Sequence, residues 1–185
     1  MRTVLMDLQG TLGGDPIGDI TDFEFYPNVL KGLKLLQDEN YRLVIVTNQS
    51  KISKNIITIS NYEAKKSELL KEAKENGIDN LEFYCCPHSK SDGCTCRKPN
   101  IGLFDEANKI KKIDIEKSYM IGDMGMFDMV FAHNIGLRKI LVLTGVGEGS
   151  LKEFRHTWQD IETDYIAEDF FEAAIWIKEN SSEIG

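Results

Sequence analysis

The sequence predicts an α/β fold with three layers: a doubly wound, Rossmann-like parallel sheet covered by helices on both faces. Two features carry this expectation. Apolar runs of strand length alternate with segments of helical period. Two of the runs, "LVIV" and "ILVL", are continuously aliphatic, as strands buried on both faces must be, whereas a half-exposed strand would alternate.

The strands expected on this basis are Thr3–Asp7, Tyr41–Asn48, Leu81–Cys86, Ser118–Asp123, Lys139–Gly145 and Tyr165–Asp169. Between them, residues 28–40, 61–77, 102–112, 127–136 and 170–180 place apolar side chains three and four apart, and two of these segments end on glycine. Irregular stretches are expected at residues 13–26, 49–60, 85–100 and 145–160. In such folds the loops after the strands build the site.

A chain of 185 residues, 42% apolar and 28% charged, is enough for one core, so a single domain over residues 1–185 is expected. The opening "MRTVLMDLQG" has one positive charge, a short apolar run and no small-residue cleavage site, which predicts a cytoplasmic protein without a signal peptide or membrane span. A net charge of -8 without a long basic run argues against nucleic acid or an anionic membrane as partner. The oligomeric state is not legible.

The strand ends carry polar residues. Asp7 closes the first strand, Thr47 and Asn48 the second, and Asp123 the fourth, with Asp128 five residues later. Each Asp alone is readily explained as a helix N-cap. Together they form a carboxylate set that needs a cation, and Mg2+ suits carboxylate, carbonyl and water ligands. Lys98 would complete a phosphate-sized group of donors.

Four segments, "DLQGTL", "VTNQS", "CRKP" and "IGDMGMFDM", stand in the order and at the spacing of the motifs of the haloacid dehalogenase (HAD) superfamily. Over nearly its whole length the chain resembles the small-capped phosphatases of that superfamily, typified by the heptose bisphosphate and histidinol-phosphate phosphatases. The resemblance implies a hydrolase working through a phosphoaspartate on a small phosphorylated substrate. Asp7 would be the nucleophile, Thr47 would hold a phosphoryl oxygen, and Lys98 would pair with Asp7 and the phosphate. Mg2+ would be bound by Asp7, the carbonyl of Gln9, Asp123 and the further candidate Asp128. Asn48 and Arg97 would face the substrate, Arg97 towards its distal end. No large insertion follows Gly10 or separates the second and third motifs, so the cap is expected to be minimal.

In "CPHSKSDGCTCRKP", Cys86, His88, Cys94 and Cys96 have the number and type of a closed tetrahedral zinc site. Their polar, turn-rich loop cannot bury itself, so a structural Zn2+ staple is the expectation, with disulfides the poorer alternative in a reducing compartment. The resembled group also carries a zinc loop here. Cys85 is assigned to packing, and His133 and His156 to ordinary surface positions.

Two positions depart from the resembled pattern. Lys51 follows Ser50 where the group usually has Ser-Gly, which puts a heptose substrate in question. Gln9 stands where most family phosphatases carry an aspartate that protonates the leaving oxygen and later takes a proton from water. An amide cannot exchange that proton, and acid–base help is worth about 10²-fold to 10⁴-fold. The sequence therefore supports a slow or specialised phosphatase first, and a phospho-ligand binding protein that has lost turnover second. A dehalogenase would not need the acid but has no use for Asp123 and Asp128.

Overall fold

The computed structural model describes residues 1–181. Six strands, β1 (Thr3–Met6), β2 (Arg42–Asn48), β3 (Leu81–Cys86), β4 (Tyr119–Gly122), β5 (Arg138–Val142) and β6 (Tyr165–Ala167), form one parallel sheet in the order β3-β2-β1-β4-β5-β6. Pairing runs Thr3↔Arg42 to Met6↔Ile45 on one side of β1 and Val4↔Tyr119 to Met6↔Ile121 on the other. The order reverses at β1, so the carboxyl ends of β1, β2 and β4 open onto one crevice.

The helices are α1 (Val29–Asp38), α2 (Ile59–Glu75), α3 (Gly102–Ile110), α4 (Val130–Ile135), α5 (Gly147–Leu151) and α6 (Phe170–Asn180). The alternation of β1 sorts its side chains between two cores. Val4 and Met6 join Leu33, Leu36, Leu69 and Phe170 on one face of the sheet, while Leu5 joins Val44, Leu103, Phe104 and Phe131 on the other. All three β1 side chains have no exposed surface, which explains the unbroken aliphatic runs.

The expected strands are all present: β3 as expected, β5 starting one residue earlier and ending three earlier, and the other four shorter by one or two residues. The helical segments differ in three places. Helix α2 begins at Ile59, inside the stretch expected to be irregular, because Thr58 and Asn61 form a capping box. Residues 145–160 contain the short α5, which the glycines of "GVGEG" hide from pattern reading. The segment expected to be helical over 127–136 instead opens with a wide π-turn at Gly125–Met129, followed by α4. Gly125 permits this turn: a Cβ there would overlap the indole of Trp158.

Residues 13–26 fold back beside the crevice as a compact flap. Gly13 bridges to both Gln9 and Phe25, a 3-10 turn forms at Ile20–Asp22, and the Tyr26 hydroxyl donates to the Gly14 carbonyl at 2.5 Å. Among the described residues no helix is long and apolar enough to cross a membrane.

Candidate active site

Each expected strand end delivers its polar residue to the crevice. Asp7 lies one residue past β1, Thr47 and Asn48 end β2, and Asp123 follows β4. The π-turn carries Asp128 back towards them. Carboxylate oxygens of Asp7, Asp123 and Asp128 lie within 4.8 Å of one another.

None of the three caps the helix that follows it. Asp128 Oδ2 accepts from the Met124 N–H at 3.0 Å, closing the π-turn on itself. Asp123 Oδ1 accepts from the Thr11 hydroxyl at 3.1 Å, and its Oδ2 from the Val146 N–H at 2.9 Å. The backbone crowds in here: a Cβ on Gly10, whose φ is +88°, would overlap the Asp123 carboxylate.

Lys98 arrives from the loop after β3 and is 2% exposed. Its Nζ donates to Asp7 Oδ1 and to Asp128 Oδ1, each at 2.8 Å. Burial pulls the Lys98 pKa down, but the charges of Asp128 and Asp7 outweigh it and hold the ammonium well above its ordinary range. Burial, with the charges of Asp7 and Asp128, pushes Asp123 far up; burial also raises Asp128, to about 6, against the pull of Lys98. Three carboxylates thus gather near one lysine, which pairs with Asp7 and Asp128. A divalent cation would restore the balance of charge, so the donor set fits a hard, oxygen-binding ion.

Asn48 turns out to position Lys98. Its Oδ1 accepts from the Lys98 N–H at 2.9 Å, and its Nδ2 donates to the Lys98 carbonyl at 3.2 Å. Asn48 lines the cavity as well, and its side chain brackets the lysine's backbone ahead of the cis Lys98–Pro99 peptide. Arg97 does reach the cavity: its guanidinium lies 5.5 Å from the Phe127 ring centre, and Nη1 donates to the His88 carbonyl at 3.4 Å.

Gln9 is tied down at both ends. Its Nε2 donates to the carbonyls of Asp15 and Gly18, each at 3.1 Å, which clasps the flap. Its Oε1 accepts from Gln49 Nε2 at 2.9 Å, and the same nitrogen donates to Thr47 Oγ1 at 2.9 Å. The loop of residues 49–55 is expected from the resemblance to line the mouth, but the bracing contacts of Gln49, and of Thr11 and the Val146 N–H on Asp123, have no signal in the sequence. Their roles depend on loop paths that no spacing encodes.

These groups line a cavity of about 340 Å3 that holds Asp7, Gln9, Thr47, Lys98, Arg97 and Asp128 on its walls. Asp123 is buried behind it.

A second cluster sits beside the first. Cys86 Sγ lies 3.6 Å from His88 Nδ1, 3.6 Å from Cys94 Sγ and 3.1 Å from Cys96 Sγ, and His88 Nδ1 lies 3.2 Å from Cys96 Sγ. Ligands at ~2.0–2.3 Å from a tetrahedral zinc stand roughly 3.3–3.8 Å apart, so the four atoms are spaced to hold one ion. Burial pushes the Cys86 thiol up, a penalty that a bound cation would reverse. Burial also opposes ionisation of Cys94, yet donors led by the Arg97 N–H bring its thiol down to about 7. Cys85 points into the core beside α2, and His133 and His156 are exposed.

Known proteins resemble this chain in sequence and in fold. A family model described as HAD-hydrolase-like matches residues 95–173. The chain is 37% identical over 139 residues to a probable D-glycero-D-manno-heptose-1,7-bisphosphate 7-phosphatase of Thermoplasma volcanium, covering 74% of this chain and 95% of that protein. It is 36% identical over 154 residues to the D-glycero-beta-D-manno-heptose-1,7-bisphosphate 7-phosphatase of Haemophilus ducreyi, covering 78% and 84%. Among solved structures, the heptose bisphosphate phosphatase of B. bronchiseptica, complexed with magnesium and phosphate, shares the fold with a TM-score of 0.86 at 22% identity, over 97% of this chain and 99% of that one. With 95% of a 37%-identical relative covered, the chain belongs to the HAD-like hydrolase family, among its phosphatases.

Proposed function

We propose that residues 1–185 form one magnesium-dependent phosphomonoester hydrolase that acts through a phosphoaspartate on Asp7. The observation that carries this reading is the Lys98 ammonium held at 2.8 Å from both Asp7 and Asp128, on the wall of a cavity sized for a small phosphorylated metabolite. Phosphoryl transfer is chiefly positioning and neutralisation of oxygen charge, which these groups supply.

Asp7 attacks phosphorus, and the bond to the leaving oxygen breaks. Lys98 holds the Asp7 carboxylate in place through its 2.8 Å contact, and Asn48 keeps Lys98 in place. Thr47 Oγ1 accepts from Gln49, which leaves its hydroxyl proton available to a phosphoryl oxygen. Asp7, Asp123, Asp128 and the Gln9 carbonyl are the groups that would hold Mg2+, whose chemistry is to neutralise phosphoryl charge. The magnesium and phosphate in the B. bronchiseptica structure support this choice of ion. Cys86, His88, Cys94 and Cys96 are assigned to a structural Zn2+ that braces the loop leading into Arg97 and Lys98.

The Gln9 side chain has no proton to exchange, and its amide N–H groups are spent on the flap. That favours, as a second reading, a phospho-ligand binding protein on the same scaffold. Phosphate release in the presence of Mg2+, combined with acid-quench trapping of a phosphoenzyme, separates the two. Label retained by the natural protein and lost in Asp7→Asn is expected; Mg2+-dependent phosphate binding without release from any ester would select the binding protein.

A further inference from the structure

The cavity walls also constrain the group from which phosphate is taken. A sugar needs amides and hydroxyls to meet its own hydroxyls, since polar groups buried without partners oppose binding. Here most of the amide donors are already committed, with Gln49 Oε1 and one Asn48 N–H left over. Gln9 gives its nitrogen to the flap carbonyls and its oxygen to Gln49; Gln49 gives its nitrogen to Gln9 and Thr47; Asn48 gives both ends to Lys98. Ser50 adds one hydroxyl.

Apart from these polar groups and the carboxylates of Asp7 and Asp128, the lining is largely apolar or cationic. Pro16, Ile17, Ile56, Met124 and Phe127 line it, and Ile17 and Ile56 stand 78% and 60% exposed at its mouth. Lys51 and Lys54 line the same mouth with no ion pair among the described residues, and Arg97 stands with them against Phe127. In a chain of net charge -8, three cations gathered at one opening are a local reversal of sign.

Resting on the phosphatase reading above, we propose that the substrate is an aryl phosphate carrying a second anionic group. Its ring packs against Ile17, Ile56 and Phe127, and its distal anion is met by Lys51, Lys54 and Arg97. The same choice answers the lack of a proton donor at Gln9. A phenol ionises near pH ~10, as tyrosine does, several units below an alkyl alcohol. The aryl oxide therefore leaves with the electron pair of the broken P–O bond and takes its proton from solvent. Water then attacks phosphorus, the bond to Asp7 breaks, and the sum is aryl phosphate plus water giving phenol plus hydrogen phosphate.

The test compares kcat/KM of the full chain, with Mg2+, for 3-carboxyphenyl phosphate, phenyl phosphate, a hexose 6-phosphate and a hexose 1,6-bisphosphate. The carboxylated ester should lead phenyl phosphate by about tenfold or more, a lead that shrinks as salt is raised. In Lys51→Ala/Lys54→Ala the ratio between these two substrates should fall below about threefold. Equal use of the two aryl esters, or a hexose bisphosphate ahead of both, overturns the proposal while leaving the phosphatase intact. No phosphate release and no phosphoenzyme from any of the four would overturn the phosphatase reading along with it.

Discussion

Gln49 donates one amide nitrogen to both Gln9 Oε1 and Thr47 Oγ1, each at 2.9 Å, and so ties the flap to the end of β2 through a single side chain. Replacing it by Leu leaves the half-buried Gln9 oxygen and the buried Thr47 oxygen without this donor, at a cost of about 1–3 kcal/mol for the buried one. Gln49→Leu should lower the denaturation midpoint and raise KM more than it lowers kcat, because the flap and the Thr47 hydroxyl lose their aim together. An unchanged KM would mean that the flap is held by its own contacts.

Gln9→Asp exchanges two amide donors for an acid. The flap loses its hydrogen bonds to Asp15 and Gly18, and the site regains a proton carrier. With the natural protein, rapid quench on an aryl phosphate should show a burst of phenol followed by slow turnover, since nothing at position 9 activates water. In the variant the burst should vanish and kcat rise by up to ~10²-fold, while KM increases as the flap loosens. Absence of a burst in the natural protein and of any gain in the variant would place the proton transfer elsewhere.

Lys98→Met removes the one cation between Asp7 and Asp128. Two carboxylates are then left facing each other in a buried site, and breaking such a pairing costs about 3–5 kcal/mol. Turnover should disappear and the fold should weaken, and Mg2+ should restore part of the lost stability. Chemical denaturation with and without the ion measures both effects; a loss under ~1 kcal/mol would contradict the buried pairing.

Much of this site was legible because strand ends in a parallel sheet share an edge. Once "TVLM", "RLVIVTN" and "YMIG" are strands, Asp7, Thr47 and Asp123 must meet. Lys98 and the cysteine cluster were legible from motif spacing. Asn48 and Gln9 were assigned by position along the motifs, yet what an amide binds depends on which loop carbonyl comes within reach. That reach is set by tertiary packing, not by neighbours in sequence. The π-turn escaped for a related reason: its apolar period continues smoothly into α4, and only the pull of Lys98 and the Met124 N–H on Asp128 distinguishes it.

The metal-free site should respond to pH in a fixed sense. Burial first, and the charge of Asp7 next, hold Asp128 at about 6, above its ordinary 3.8. The folded state then binds a proton more tightly than the unfolded chain. Its contribution to stability is greatest at low pH and is lost as pH rises through about 6. Mg2+ must displace that proton, so its affinity should weaken between roughly pH 7 and pH 5. Calorimetric titration in two buffers of different ionisation heat would detect the released proton; equal affinity at both pH values would argue that the ion binds away from Asp128.

One zinc per chain is expected on Cys86, His88, Cys94 and Cys96. Elemental analysis of protein purified without chelator checks the content, and none found would count against the assignment. Cys94→Ser should reduce zinc retention and, since Arg97 and Lys98 follow directly, lower kcat through misplacement of Lys98.

The π-turn at Gly125–Met129 sets local comfort against aim. Removing one residue, Met126 for instance, would let the backbone close into an ordinary α-turn with more regular hydrogen bonds. It would also rotate everything after it by about 100° relative to β4, swinging the carboxylate of Asp128 off Lys98. A shortened chain of this kind is expected to gain helix and lose magnesium affinity at once. The segment is thus frustrated by design of its length: its backbone minimum and its working geometry are different conformations, and the buried lysine decides between them.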